Sequence, residues 1–122
     1  MRNITKNYNL DKNTSLDLSC DLLKHFKNNK PIIICLGSDK VLSDCVGVLV
    51  AEMLKKCNIS TYVLGGADLQ VMSNNIDCIL QKFPNSKFLF IDSCLSTKKN
   101  TVIFNNNCIK LDTIAKLYGN LL

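Results

Sequence analysis

The stretch Ile34-Cys35-Leu36-Gly37-Ser38-Asp39-Lys40-Val41-Leu42-Ser43-Asp44-Cys45-Val46-Gly47 decides the fold. Its first residues continue a run from Pro31 that is apolar without alternation, as expected of a parallel strand covered on both faces. A small, polar loop opening on Gly37 follows. From Val46 onward the apolar residues Val46, Leu49, Val50, Met53, Leu54 and Cys57 recur at helical spacing. The helix is therefore expected from Leu42 or Ser43 to Lys56. Strand, loop and helix in that order place Asp39 and Asp44 just past the carboxyl end of a buried strand, where open α/β sheets bind their ligands.

Working outward, the same alternation repeats. On the amino-terminal side, residues 1 to 12 are polar and read as a loose, flexible segment; residues 13–122 read as one domain. A helix is expected from Asn13 or Thr14, with Leu18, Leu22 and Phe26 on one face and Leu23 beside them. Pro31 ends it, because the residue before a proline is pushed out of the α region. On the carboxyl-terminal side, Ser60 to Leu64 reads as a second strand. Leu69, Met72, Ile76, Ile79, Leu80 and Phe83 then read as the face of a helix opened by Ala67 or Asp68, and Lys87 to Ile91 as a third strand ending at Asp92. Alternating helices and strands with short connections imply parallel strands, right-handed crossovers and a three-layer αβα sandwich. The expected strand order is second–first–third. Thr101 to Phe104 reads as a further strand, Cys108 to Leu111 as its hairpin partner across three asparagines, and Asp112 as the cap of a last helix.

Composition narrows the function. The chain has 122 residues, 47% of them apolar, enough for one folded core. No apolar run approaches the roughly 20 residues of a transmembrane helix, and the amino terminus has no apolar stretch of the signal-peptide kind, so a cytoplasmic protein without membrane contact is expected. Seven cysteines, an odd number with no Cys-x-x-Cys pair and a single histidine, His25, argue for reduced thiols rather than disulfides or a zinc site. Cys35, Cys57 and Cys78 lie in apolar runs, where a thiol packs as a small hydrophobe. The net charge of +5 is spread over scattered lysines with one arginine, Arg2, which argues against a nucleic-acid reader.

Three carboxylates are candidates for chemistry. With the first strand central, Asp39 and Asp44 leave it on one side of the switch point and Asp92 ends the neighbouring third strand. Adjacent strands lie about 4.8 Å apart, so carboxylates at their ends can converge. Two close carboxyls do not both ionise cheaply; one holds its proton, and the pair can activate a water between them. The alternative is that Ser43 or Asp44 caps the helix and that Asp92 binds loop amides. Cys45 and Cys94 lie near the same edge, but His25 sits on the preceding helix, away from it, so a Cys–His pair is not favoured. Gly37 to Lys40 lacks the glycines and the Gly-Lys-Ser/Thr ending of a phosphate loop.

These residues also resemble a known family. Ile-Cys-Leu-Gly-Ser-Asp-Lys at 34–40, Ser-Asp-Cys-Val-Gly at 43–47 and Ile-Asp-Ser-Cys-Leu at 91–95 are similar in order and spacing to the motifs of the YyaC-like sporulation proteins. That family looks related to the germination protease of spore-forming bacteria and to hydrogenase maturation endopeptidases. The resemblance implies a phosphorylase/hydrolase-like αβα fold and a spore-associated peptidase acting on a protein or peptide substrate in the sporulating cell. By motif position Asp44 and Asp92 match the two aspartates proposed to activate water, and Asp39 matches the family's Gly-Thr-Asp-Arg. Leu64 stands where the maturation endopeptidases carry a nickel-binding aspartate, and no later histidine exists, so no cofactor is implied. The resemblance equally allows a catalytically silent member that binds a sporulation partner.

Overall fold

The computed structural model describes residues 5–93 and 100–105. The chain divides into two compact units, one formed by Asn28–Cys94 and the other by the flanking segments Met1–Lys27 and Leu95–Leu122. Strands and helices are mixed in a small α/β arrangement with one parallel and one antiparallel sheet.

The antiparallel sheet belongs to the discontinuous unit. Strand β1 (Thr5–Asn9) pairs with β5 (Thr101–Asn105) from Thr5↔Asn105 to Asn9↔Thr101. The amino-terminal segment read as loose therefore contains a strand. Its sequence, Thr-Lys-Asn-Tyr-Asn, carries one apolar side chain, too few to show a period of two. Tyr8 is that side chain; it is buried, and its hydroxyl donates to Asp21 of helix α1 (Thr14–His25). Lys6 adds an ion pair to the same carboxylate at 2.6 Å. The strand expected at Thr101–Phe104 exists, but its partner is β1, in a sheet separate from the parallel one. The proposed hairpin strand Cys108–Leu111 and the helix after Asp112 lie outside the described residues.

The continuous unit carries the parallel sheet. Strand β2 (Ile32–Cys35) lies centrally, with β3 (Val63–Leu64) on one side and β4 (Phe88–Ile91) on the other, which is the expected strand order. The register runs from Ile32↔Phe88 to Cys35↔Ile91 and through Ile33↔Val63 and Ile34↔Leu64. Ile34 and Cys35 are wholly buried, and Leu36, Val48, Ala51, Val71 and Ile76 close the core around them. Burying one such aliphatic side chain contributes about 1.5–3 kcal/mol, so the unalternating run from Ile32 supplies much of this unit's stability.

Helix α2 (Val46–Lys56) is shorter than the spacing suggested, because the chain between Leu42 and Asp44 winds as a 3-10 turn. The Asp44 carbonyl accepts the Ser38 N–H at 3.0 Å, which turns it toward the loop and separates the turn from α2. A Cβ at Gly47 would stand 1.8 Å from the Leu36 carbonyl oxygen, so α2 rests directly on the end of β2. Only glycine allows that approach.

The segment after β3 departs most from expectation. Helix α3 covers only Ile76–Gln81, although the apolar spacing began at Leu69. Val71 bridges Leu36 in parallel fashion and its carbonyl accepts the Gly37 N–H at 3.0 Å, so its backbone is committed to the sheet. Asn75 then closes a turn, its side chain donating to the Gln70 carbonyl and accepting the Met72 N–H, each at 2.8 Å. Strand β3 is likewise shorter than Ser60–Leu64: the Ser60 hydroxyl is bound by Lys30 and that of Thr61 donates to the Pro31 carbonyl. No helix among the described residues is long and apolar enough to cross a membrane.

Candidate functional site

The last bond of the β2–β4 ladder, from the Leu36 N–H to the Ile91 carbonyl at 2.8 Å, sets Gly37 and Asp92 leaving neighbouring strands. Gly37 has a φ of +135°, open to glycine and strained for other residues. With that turn the loop folds back, and the Ser38 N–H meets the Asp44 carbonyl. A Cβ at Gly37 would lie 2.2 Å from the Asp44 carbonyl oxygen and 3.4 Å from its carboxylate Oδ1. Glycine thus makes room for Asp44 to sit over the end of β2. Asp44 is buried, as is Ser38.

Asp92 approaches from β4. Among the described residues its Oδ1 is buried without a hydrogen-bond partner. Burial pushes its carboxyl up from 3.8 to about 6, and the charge of Asp44 adds to the effect, against a backbone bond from Ser93. Asp44 is also raised, by burial, with the Ser38 N–H opposing. The Coulombic effect runs from Asp44 onto Asp92 and is smaller than that of burial. The Ser93 hydroxyl donates to the Ser43 carbonyl at 2.9 Å, tying the two aspartate-bearing segments together one residue from each carboxylate.

The helix-cap alternative receives no side-chain bond: the residues at the cap positions of the 3-10 turn and of α2 are Val41 and Cys45, and neither caps through its side chain. Asp39, the third candidate, is exposed and accepts a hydrogen bond from Gln70 Nε2 at 2.6 Å. The structure therefore brings Asp44 and Asp92 into one electrostatic neighbourhood and gives Asp39 to Gln70. Gln70 and Asn75 were invisible to sequence reasoning, which placed both on a helix. Ser93, next to Asp92, could have been found by its position.

The cysteines divide differently from expectation. Cys35 is buried and its thiol is pushed up to about 11 by burial, with Lys55 opposing. Cys57, at the carboxyl-terminal cap of α2, and Cys78, within α3, are exposed rather than in the core. Cys45 Sγ faces the Leu42 carbonyl at 3.0 Å. Cys94 lies outside the described residues. His25 packs edge-on against Phe26 and Phe104, with ring centroids 4.7 and 5.7 Å away. Among the described residues no group of three or more His, Cys, Asp or Glu side chains is placed to hold a metal ion.

An open cavity of about 220 Å³ lies elsewhere, between the end of α2 and the approach to β3, lined by Leu54, Lys55, Asn58, Thr61 and Tyr62 among others. It sits at the amino edge of the sheet, and no carboxyl or thiol lines it. Convergent polar groups with altered proton affinity mark a site more strongly than volume does. The carboxyl edge is the better candidate.

These features define an α/β chain whose parallel strands deliver two neighbouring carboxyls at their carboxyl ends. Residues 6–118 match the family described as Protein of unknown function (DUF1256), and the chain belongs to that family. No curated protein and no solved structure matches it.

Proposed function

We propose that this chain is an aspartate-dependent peptidase in which Asp44 and Asp92 activate water against a peptide carbonyl. The observation that carries the reading is the buried, unpartnered Oδ1 of Asp92 beside a second buried carboxyl. A buried carboxyl oxygen without a partner is costly, and such atoms concentrate where chemistry needs them. Asp92, raised to about 6, keeps its proton while Asp44 is ionised. Asp44 then takes a proton from the attacking water as its oxygen bonds to the carbonyl carbon, and Asp92 gives its proton to the carbonyl oxygen. Collapse of the resulting gem-diol breaks the C–N bond, the amine leaves with the proton held by Asp44, and Asp92 recovers its own.

The resemblance to YyaC-like sporulation proteins supports a protein or peptide substrate in a sporulating cell or spore. The same resemblance supports an αβα layering and the kinship with the germination protease. The test is incubation of the protein with unfolded polypeptides and small acid-soluble spore proteins near pH 5–6, with products read by mass spectrometry. Cleavage is expected, and Asp44→Asn and Asp92→Asn should each abolish it. Cleavage that survives the double substitution overturns the assignment.

A second reading, a silent module that binds a protein partner, is favoured by Leu42, Val46, Leu49 and Met53. These are exposed at helical spacing along the 3-10 turn and α2. Under that reading no cleavage occurs, and Leu49→Glu, not Asp92→Asn, abolishes partner binding.

A further inference from the structure

The loop that carries Asp39 also positions Asp44, and it is gripped from outside. Four bonds hold it: the Ser93 hydroxyl on the Ser43 carbonyl, next to Asp44, and three more. Gly37 donates to the Val71 carbonyl, Ser38 donates to the Asp44 carbonyl, and Gln70 Nε2 donates to Asp39 Oδ1 at 2.6 Å. The Gly37 and Ser38 bonds fix its ends. The Gln70 bond is the only side-chain hydrogen bond, among the described residues, that ties its tip to another segment. Gln70 is not free to wander, because Asn75 Nδ2 donates to its carbonyl while Asn75 Oδ1 accepts the Met72 N–H. The grip thus runs from the start of α3 through Asn75 and Gln70 to Asp39, and so to the loop that ends at Asp44.

We infer that Asp39 is a hydrogen-bond acceptor in a latch closed by Gln70, and that Gln70, backed by Asn75, is a positioning residue for Asp44. Several facts favour a latch over a third catalytic carboxyl. Asp39 is exposed, whereas Asp44 and the Oδ1 of Asp92 are buried. Its contacting oxygen is occupied by an amide N–H. What the latch needs of residue 39 is an oxygen acceptor of the right length, which a carboxamide also supplies. A catalytic acid or base needs an ionisable carboxyl, which a carboxamide cannot replace. The substitution Asp39→Asn separates the two roles. A bond of this type adds modestly to stability, yet a displacement of about 1 Å at a reacting group costs on the order of a hundredfold in rate.

The catalytic part of this inference rests on the peptidase reading; the mechanical part does not. The experiment compares Asp39→Asn, Asp39→Ala, Gln70→Ala and the wild type in the full chain. Amide hydrogen exchange over residues 38–43 and the NMR titration of the Asp92 carboxyl need no substrate. In the two alanine variants, exchange should quicken by about tenfold, as for loss of one net hydrogen bond, and the Asp92 midpoint should move because the Asp44 charge has shifted. Asp39→Asn should leave both as in the wild type. Where cleavage is observed, kcat should fall in the alanine variants with KM unchanged and be kept in Asp39→Asn. An Asp39→Asn variant that behaves like Asp39→Ala overturns the latch in favour of a role for the charge itself. A Gln70→Ala variant with wild-type exchange and an unmoved Asp92 midpoint overturns it outright. Absence of cleavage in the wild type removes the peptidase reading and leaves the exchange and titration results to decide the latch.

Discussion

Replacing Asp92 by asparagine should make the protein more stable at neutral pH and leave it unchanged in acid. In the folded chain the carboxyl is raised from 3.8 to about 6, so the folded state binds its proton more tightly than the unfolded state does. The sign follows from linkage: the contribution of this group is fully present below about pH 4 and is lost as pH rises through about 6. Above that, the wild type folds with an ionised carboxylate in a site that disfavours it. Each pH unit between the folded and unfolded values corresponds to about 1.4 kcal/mol, an upper limit near 3 kcal/mol. Asp92 is only half-buried, and solvent screening brings the expected figure to about 1–2 kcal/mol. Asparagine has nearly the same shape, and Oδ1 has no hydrogen bond to lose among the described residues.

The assay is urea unfolding of wild type and Asp92→Asn at half-unit steps from pH 4 to 8 in about 0.15 M salt, where surface charges are screened. The gain should be near zero at pH 4 and reach its full value by pH 7.5. A thermal midpoint would rise by about 3–5 °C for each kcal/mol in a chain of this size. Asp68→Asn, at an exposed position, removes the same formal charge without burial and serves as the control. A variant less stable than wild type at pH 7.5 would refute the reasoning, because the carboxylate would then be making a favourable contact. A gain of equal size at both ends of the pH range would refute it as well, since titration would have no part in it.

Asp44→Asn removes a neighbouring negative charge, so the Asp92 titration followed by NMR should shift downward while staying above 3.8 through burial. Gly47→Ala forces a Cβ onto the Leu36 carbonyl and should cost at least about 2 kcal/mol in chemical denaturation, far more than a helix-favouring substitution would return. Ile34→Ala empties the wholly buried centre of β2 and should cost about 3–4 kcal/mol in the same assay. Among the described cysteines, Cys35 should resist thiol labelling at pH 8 while Cys20, Cys57 and Cys78 react, as mapped by mass spectrometry; rapid labelling of Cys35 in the folded protein would contradict its burial.

The parts of the fold that were legible in the sequence are those where one physical signal dominated. The unbroken apolar run into Cys35 could only be a covered strand, and the helical spacing after it was correct from Val46 to Lys56. The order of the three parallel strands, taken as the common one for this alternation with the first strand central, is the order observed. Strand β1 was missed because one buried tyrosine among polar neighbours has no period. Long-range pairing with β5 and the Asp21 carboxylate hold it instead, and neither is a local property. The helix expected from Ala67 or Asp68 was overextended because Leu69 and Met72 keep helical spacing, whereas Val71 is drawn into the sheet beside Leu36 and both neighbours are left exposed. At the site, sequence order placed Asp39, Asp44 and Asp92 at one edge but could not distinguish a carboxyl over a glycine from one held by an amide. That distinction depends on the turn at Gly37 and on the path of the loop through Gln70, both products of packing.

The pairing of β1 with β5 has a consequence for how the molecule is made. The two strands stand on the order of ninety residues apart in the chain, with the whole of Asn28–Cys94 between them. On the ribosome, β1 emerges before the middle of the chain and β5 after it, so the middle has all its own described strands and helices available while β1 still lacks its partner. Closing so long a loop costs roughly 4 kcal/mol for a disordered chain, and less once the intervening segment has collapsed. The dependence is therefore one-sided. The parallel sheet draws all its strands from the inserted unit, whereas β1 can pair with β5 only after that unit has been made. Mutations that weaken the inner unit should release β1 as well, but weakening the β1–β5 pairing should leave the carboxyl-bearing sheet intact.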